Sequence, residues 1–83
     1  MSELYEIGEM LHARRKALGL SQLQVASSNG MSRVTISRLE NGKLPELGIR
    51  KVIAICATLG LELTVKEASK RPTLRELVAE RER

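Results

Sequence analysis

Whatever chemistry this chain of 83 residues performs has to come from its cations. It has no aspartate, one histidine (His12), one cysteine (Cys56) and no glycine-rich loop followed by lysine, so one subunit can assemble no triad, metal cluster or nucleotide cradle. An internal disulfide and a cysteine-based zinc site are excluded by the same count. No enzyme and no cofactor are expected. Positive charge, by contrast, is concentrated: from Arg14 to Lys51 there are eight lysines and arginines against two acids, Glu40 and Glu46, a segment of +6 in a chain of net +4. Such a surface attracts polyanions and binds them through counterion release, whereas the plain alternative is an ordinary solvated face. Arginine adds direction to charge, because its planar fork can make two parallel hydrogen bonds to one partner.

These cations are positioned by one stretch, Ser21 to Lys43, reading SQLQVASSNGMSRVTISRLENGK. Its first half, with Leu23, Val25 and Ala26 apolar, predicts a helix too short to stand alone, N-capped by Ser21 and closed at Asn29-Gly30. Ser32 then caps a second helix that ends at Asn41-Gly42, with Ile36 and Leu39 three apart and facing inward. Two helices joined by a short glycine-containing turn form the helix-turn-helix pattern, with small Ala26 where they approach most closely. With Ile36 and Leu39 inward, helical spacing turns Arg33, Val34, Ser37 and Arg38 outward. An outward arginine in the first turn can grip a guanine edge with both arms of its fork. Val34 either touches a thymine methyl or packs on the first helix, and Ser37 bonds a phosphate or only water.

The stretch resembles the DNA-binding module of the Cro and lambda-type phage repressors, the XRE family. Ser21-Gln22, Ala26, Gly30-Met31-Ser32, Ile36-Ser37 and Leu39-Glu40-Asn41-Gly42 carry the resemblance, joined by Arg15, Leu18-Gly19-Leu20 and Leu59-Gly60, so that it covers roughly residues 5 to 66. It implies that Arg33, Val34, Ser37 and Arg38 read bases, while Gln22, Ser32, Asn41 and Lys43 hold phosphates and so position the module without reading sequence. It further implies a structural ion pair between Arg15 and Glu40. In the family, the glutamine at Gln22 also braces the first reading residue, which here is Arg33 rather than the glutamine of some relatives.

Around this centre the chain reads in order. Residues 3 to 18 predict a first helix, with Leu4, Ile7, Met10, Leu11, Arg14 and Leu18 at helical spacing, acidic at its start and basic at its end. His12, a single histidine without an acidic or thiol partner to make it a ligand, is read as a surface residue and assigned no role. Leu44-Pro45 breaks the chain before a fourth helix, from about Leu47 to Leu59, whose stripe is Ile49, Val52, Ile53, Cys56 and Leu59. Glu46 and Gly48 give that helix a weak start. After Gly60 the period falls to two, with Leu61, Leu63 and Val65 alternating with Glu62, Thr64 and Lys66, the pattern of a strand. A lone strand needs a partner edge, and the same strand of a second copy is the simplest one. About a two-fold axis at Thr64, Glu62 would oppose Lys66 and Leu63 would oppose Val65. Beyond it, Thr73-x-x-Glu76 has the form of a capping box for a short terminal helix bearing Leu74, Leu77 and Val78.

The expected architecture is therefore all-α: a lambda-repressor-like bundle of four helices over residues 1–60, a dimerisation strand over 61–66, and a tail over 67–83 with a short helix. Double-stranded DNA and a second copy are the expected partners, because a chain whose one aromatic residue is Tyr5 has no stacking platform for single strands. The strand and tail look like those of antitoxins in toxin-antitoxin modules, especially those paired with a Hip-type kinase, which adds a toxin protein as an expected partner. An adaptor whose helix-turn-helix no longer binds DNA is the competing class, and there the outward face would be acidic or apolar. No leader, lipid anchor or run of about 18 apolar residues is visible, so no membrane contact and a cytoplasmic location are expected. The length leaves no room for a separate sensor domain.

Overall fold

A computed structural model describes residues 4–68 of the chain. Four helices follow one another, α1 (Leu4–Ala17), α2 (Gln22–Ser28), α3 (Arg33–Glu40) and α4 (Ile49–Thr58). The two short central helices have to be held at their ends, since neither is long enough to persist alone. Ser21 Oγ accepts the Gln24 backbone N–H at 3.0 Å while the Ser21 N–H donates to Gln24 Oε1 at 2.7 Å, a complete capping box on α2. On α3, Ser32 Oγ accepts the Thr35 backbone N–H at 3.2 Å, a single cap bond without the return half of the box. At the other end of α2, Gly30 takes a φ of 64°, which lets the Met31 N–H reach back to the Ala26 carbonyl at 2.9 Å. A side chain at Gly30 would strain this left-handed conformation. All four helices end on such a glycine, so the turns that orient the reading unit are set by local backbone chemistry.

The core consists of Leu11 from α1, Val25 and Ala26 from α2, Ile36 and Leu39 from α3, and Val52, Ile55 and Cys56 from α4, closed by Leu59. Each fully buried aliphatic side chain contributes about 1.5 to 3 kcal/mol. Ala26 has no exposed surface, and its small size is what lets α2 and α3 pack closely. Gly8 does the same between α1 and α3: a Cβ there would overlap the Leu39 carbonyl. Burial lifts the Cys56 thiol above its usual range, in keeping with an inert core residue.

Several expected apolar stripes turn out rotated. In α4, Ile49 is 62% and Ile53 50% exposed, while Ile55, absent from the expected stripe, is buried. The expected stripe 49-52-53-56-59 and the observed 52-55-56-59 both satisfy helical spacing and share three positions, so periodicity alone does not choose between them. The helix also begins later than expected: Gly48 is its N-cap, without a side-chain bond, which puts Ile49 at the first turn and outside the core. In α1 Met10 is exposed and Arg15 is buried, Leu18 is exposed just past the end of α1, and in α2 Leu23 is exposed.

Among the described residues there is no strand: 61–68 follow Gly60 as extended chain without a regular element. A strand is defined by its ladder to a second edge, which one chain does not supply here. Leu61 packs against the core, whereas Val65 is 95% exposed. The terminal helix expected around Thr73 lies outside the described residues.

Candidate nucleic-acid interface

The interface is built on a buried carboxylate. Glu40 closes α3 with its side chain turned into the protein, and Arg15 on α1 meets it with both arms: Nε donates to Oε2 at 2.6 Å and Nη2 to Oε1 at 2.8 Å. Arg15 Nη1 donates to the Leu20 carbonyl at 2.8 Å, so the same guanidinium ties α1 to the loop leading into α2. Burial works to raise the Glu40 carboxyl, yet hydrogen bonds from Arg15, His12 and Gln22 together outweigh it and hold the group at about 2. The carboxylate in turn raises the Arg15 guanidinium above its usual range.

His12 belongs to this cluster. Its Nδ1 lies 2.7 Å from Glu40 Oε1, a partner 28 residues along the chain and therefore invisible to local sequence reasoning. Nδ1 also lies 3.3 Å from Arg15 Nη2. A guanidinium has no acceptor, and the carboxylate is the closer partner, so Nδ1 carries the hydrogen and donates it to Glu40. The absence of any role for His12, expected from the sequence, is thus corrected.

Gln22, the first residue of α2, links the cluster to the surface. Its Nε2 donates to Glu40 Oε1 at 3.1 Å and its Oε1 accepts from Arg33 Nη1 at 3.2 Å. The amide orientation follows from the partners, since a carboxylate needs a donor and a guanidinium an acceptor. A continuous chain, Arg15 and His12 to Glu40 to Gln22 to Arg33, therefore runs from the interior to the first turn of α3. Arg33 commits one N–H to the brace, and the rest of its fork points to solvent.

The other residues singled out by sequence occupy the same side or its ends. Val34 is 55% exposed, which removes the option of packing on α1, and Arg38 is exposed one and a half turns after Arg33. Ser37 is half-buried, and its carbonyl and Oγ accept from Asn41 Nδ2 at 2.8 and 3.3 Å. Asn41 thus spends its amide on closing α3, while Ser32 Oγ lies 3.0 Å from Thr35 Oγ1 at the opposite end. Lys43 is exposed just past Gly42, whose backbone is covered by the ring of Tyr5.

Two short helices set by capped ends around a glycine turn, with a cationic outer face on the second, define a helix-turn-helix module. Residues 11–66, well over half of the chain, match the protein family described as Helix-turn-helix. The chain belongs to that family, in its XRE form, and is a DNA-binding regulator of transcription. No curated protein matches it. No helix among the described residues is long and apolar enough to cross a membrane.

Proposed function

We propose that the chain is a homodimeric repressor that reads a palindromic operator with α3 of each copy in successive major grooves, about 34 Å apart. The observation that carries this reading is Arg33, held by Gln22 on the first turn of α3 with the rest of its fork free toward solvent. Arg33 takes a guanine through two parallel hydrogen bonds, worth about 1 to 3 kcal/mol of discrimination, and Arg38 a second position on the same side. Val34 meets a thymine methyl, and Ser37 bonds the base or phosphate beside it. Gln22, Ser32, Asn41 and Lys43 hold phosphates at the two ends of the module. Asn41 and Ser32 are largely occupied as helix caps and the Gln22 amide by Glu40 and Arg33, so Lys43 contributes the strongest of these contacts.

The second copy pairs through residues 61–66. Leu61, Leu63 and Val65 lie on one face of this segment and Thr64 on the axis, with Glu62 opposite the partner's Lys66. Val65, 95% exposed among the described residues, supports this arrangement. The extended segment after α4, followed by a charged tail, also resembles antitoxins that repress their own operon, and on that reading a toxin protein binds the strand and tail.

A gel-shift titration with the DNA upstream of the chain's own gene, competed by random duplex at about 150 mM salt, tests the proposal, since affinity without a stated salt concentration is uninterpretable. Binding that survives competition is expected. Binding no tighter than to random duplex would favour an adaptor that has kept the fold without the readout.

A further inference from the structure

Glu40 Oε1 is the most crowded acceptor in the protein's interior. Arg15 Nη2 at 2.8 Å, His12 Nδ1 at 2.7 Å and Gln22 Nε2 at 3.1 Å all donate to it. Arg15 already meets the carboxylate with two bonds, so the imidazole is an added donor to an ion pair that is formed without it. Its position suggests another task. The Glu40 side chain is 3% exposed and that of His12 49%, which makes the imidazole the donor at the solvent edge of the cluster.

We propose that His12 is a positioning residue for base reading, acting on Arg33 through Glu40 Oε1 and Gln22. The inference rests on the base-reading role given to Arg33 above. Nδ1–H has one hydrogen and commits it to Oε1, so it offers Gln22 no second donor. A water in place of the ring has two hydrogens and could donate one to Glu40 Oε1 and the other to the oxygen of a turned-over Gln22 amide. The Gln22 amide would then no longer be fixed by Oε1. Turned over, it would present N–H groups to the Arg33 guanidinium, two donors face to face, and Arg33 would lose its brace. His12 thus keeps water out of a relay whose far end lies on the reading face.

The test is a comparison of affinities for the tightest duplex selected from a random pool and for unselected duplex, at one salt concentration. It takes the wild type, H12A, H12N, R33A and the H12A/R33A double variant, each shown by thermal melting to be folded at the assay temperature. H12A is expected to lower the ratio of specific to unselected affinity about 3- to 10-fold, the range spanned by one net hydrogen bond. In the R33A background the same change should cost nothing further in that ratio. H12N, whose amide N–H stands near the place of Nδ1, should recover most of the loss. A purely structural His12 would show in the melting temperature and lower both affinities alike. An unchanged ratio in H12A, or an equal loss with and without Arg33, overturns the inference while leaving the readout by Arg33 standing. An unchanged ratio in R33A overturns the base-reading role, and the inference with it.

Discussion

At Glu40, one oxygen pair organises three helices, and its ionisation links the module to pH. The folded-state value of about 2 lies below that of a free carboxylate near 4.5. A depressed carboxylate contributes stability that is fully present above its unfolded value and is lost as pH falls toward its folded value. The Glu40 contribution is therefore intact at pH 7 and disappears between about pH 4.5 and 2, and its full size is about 3 kcal/mol. Urea unfolding of wild type and E40Q across that window should show a steeper acid loss for the wild type; parallel curves would mean that other carboxylates set the acid limit. Arg15→Met leaves the carboxylate buried with only His12 and Gln22 as donors and should cost about 3 to 5 kcal/mol at neutral pH. Adding Glu40→Leu should recover part of that loss, because the stranded charge is removed, and calorimetry of the single and double variants checks the sign.

The elements owe their places as much to small residues as to large ones. Gly8→Ala pushes a Cβ into the Leu39 carbonyl, backbone that cannot swing aside, so about 3 kcal/mol of stability should be lost. A melting temperature unchanged by this variant would show that α1 and α3 can slide apart without loss. Legibility in the sequence follows the same division between local and distant causes. The ends of α2 and α3 were readable because their causes are local: Ser21, Asn29-Gly30, Ser32 and Asn41-Gly42 act within a few residues of themselves. The capping box of Ser21 with Gln24 is equally local, its two residues standing three apart. Rotation of α4 was not readable, since Ile49 and Ile53 fit the helical period as well as Ile55 does, and only the neighbouring helices decide. The Arg15–Glu40 contact came from family resemblance. His12 escaped both routes, its partner being distant in sequence and outside the family pattern quoted.

At the scale of the whole molecule, Val34 is exposed on the outer face of α3, whereas Leu63 and Val65 are exposed on the segment proposed to meet a second copy. Val65 is exposed among the described residues, so Val65→Glu should change the melting temperature of dilute protein only slightly, within about 0.5 kcal/mol. In the proposed dimer it would set a charge against the partner's apolar strand. Sedimentation equilibrium should show a dimer for the wild type and a monomer for the variant; a variant that still dimerises would move the interface away from residues 61–66. In the proposed dimer, two-fold symmetry would call for two-fold symmetry of the operator, with half-sites one helical turn apart.

The most direct test of the account compares the wild type, Arg33→Ala and Lys43→Ala on the selected operator and on random duplex over a range of salt. Arg33→Ala should lower the ratio of specific to random affinity by the factor that about 1 to 3 kcal/mol represents. Lys43→Ala should weaken both duplexes alike, preserve the ratio and reduce the salt slope by about one unit. Equal losses on both duplexes for both variants would contradict the account, because α3 would then bind DNA by charge alone and Arg33 would read nothing.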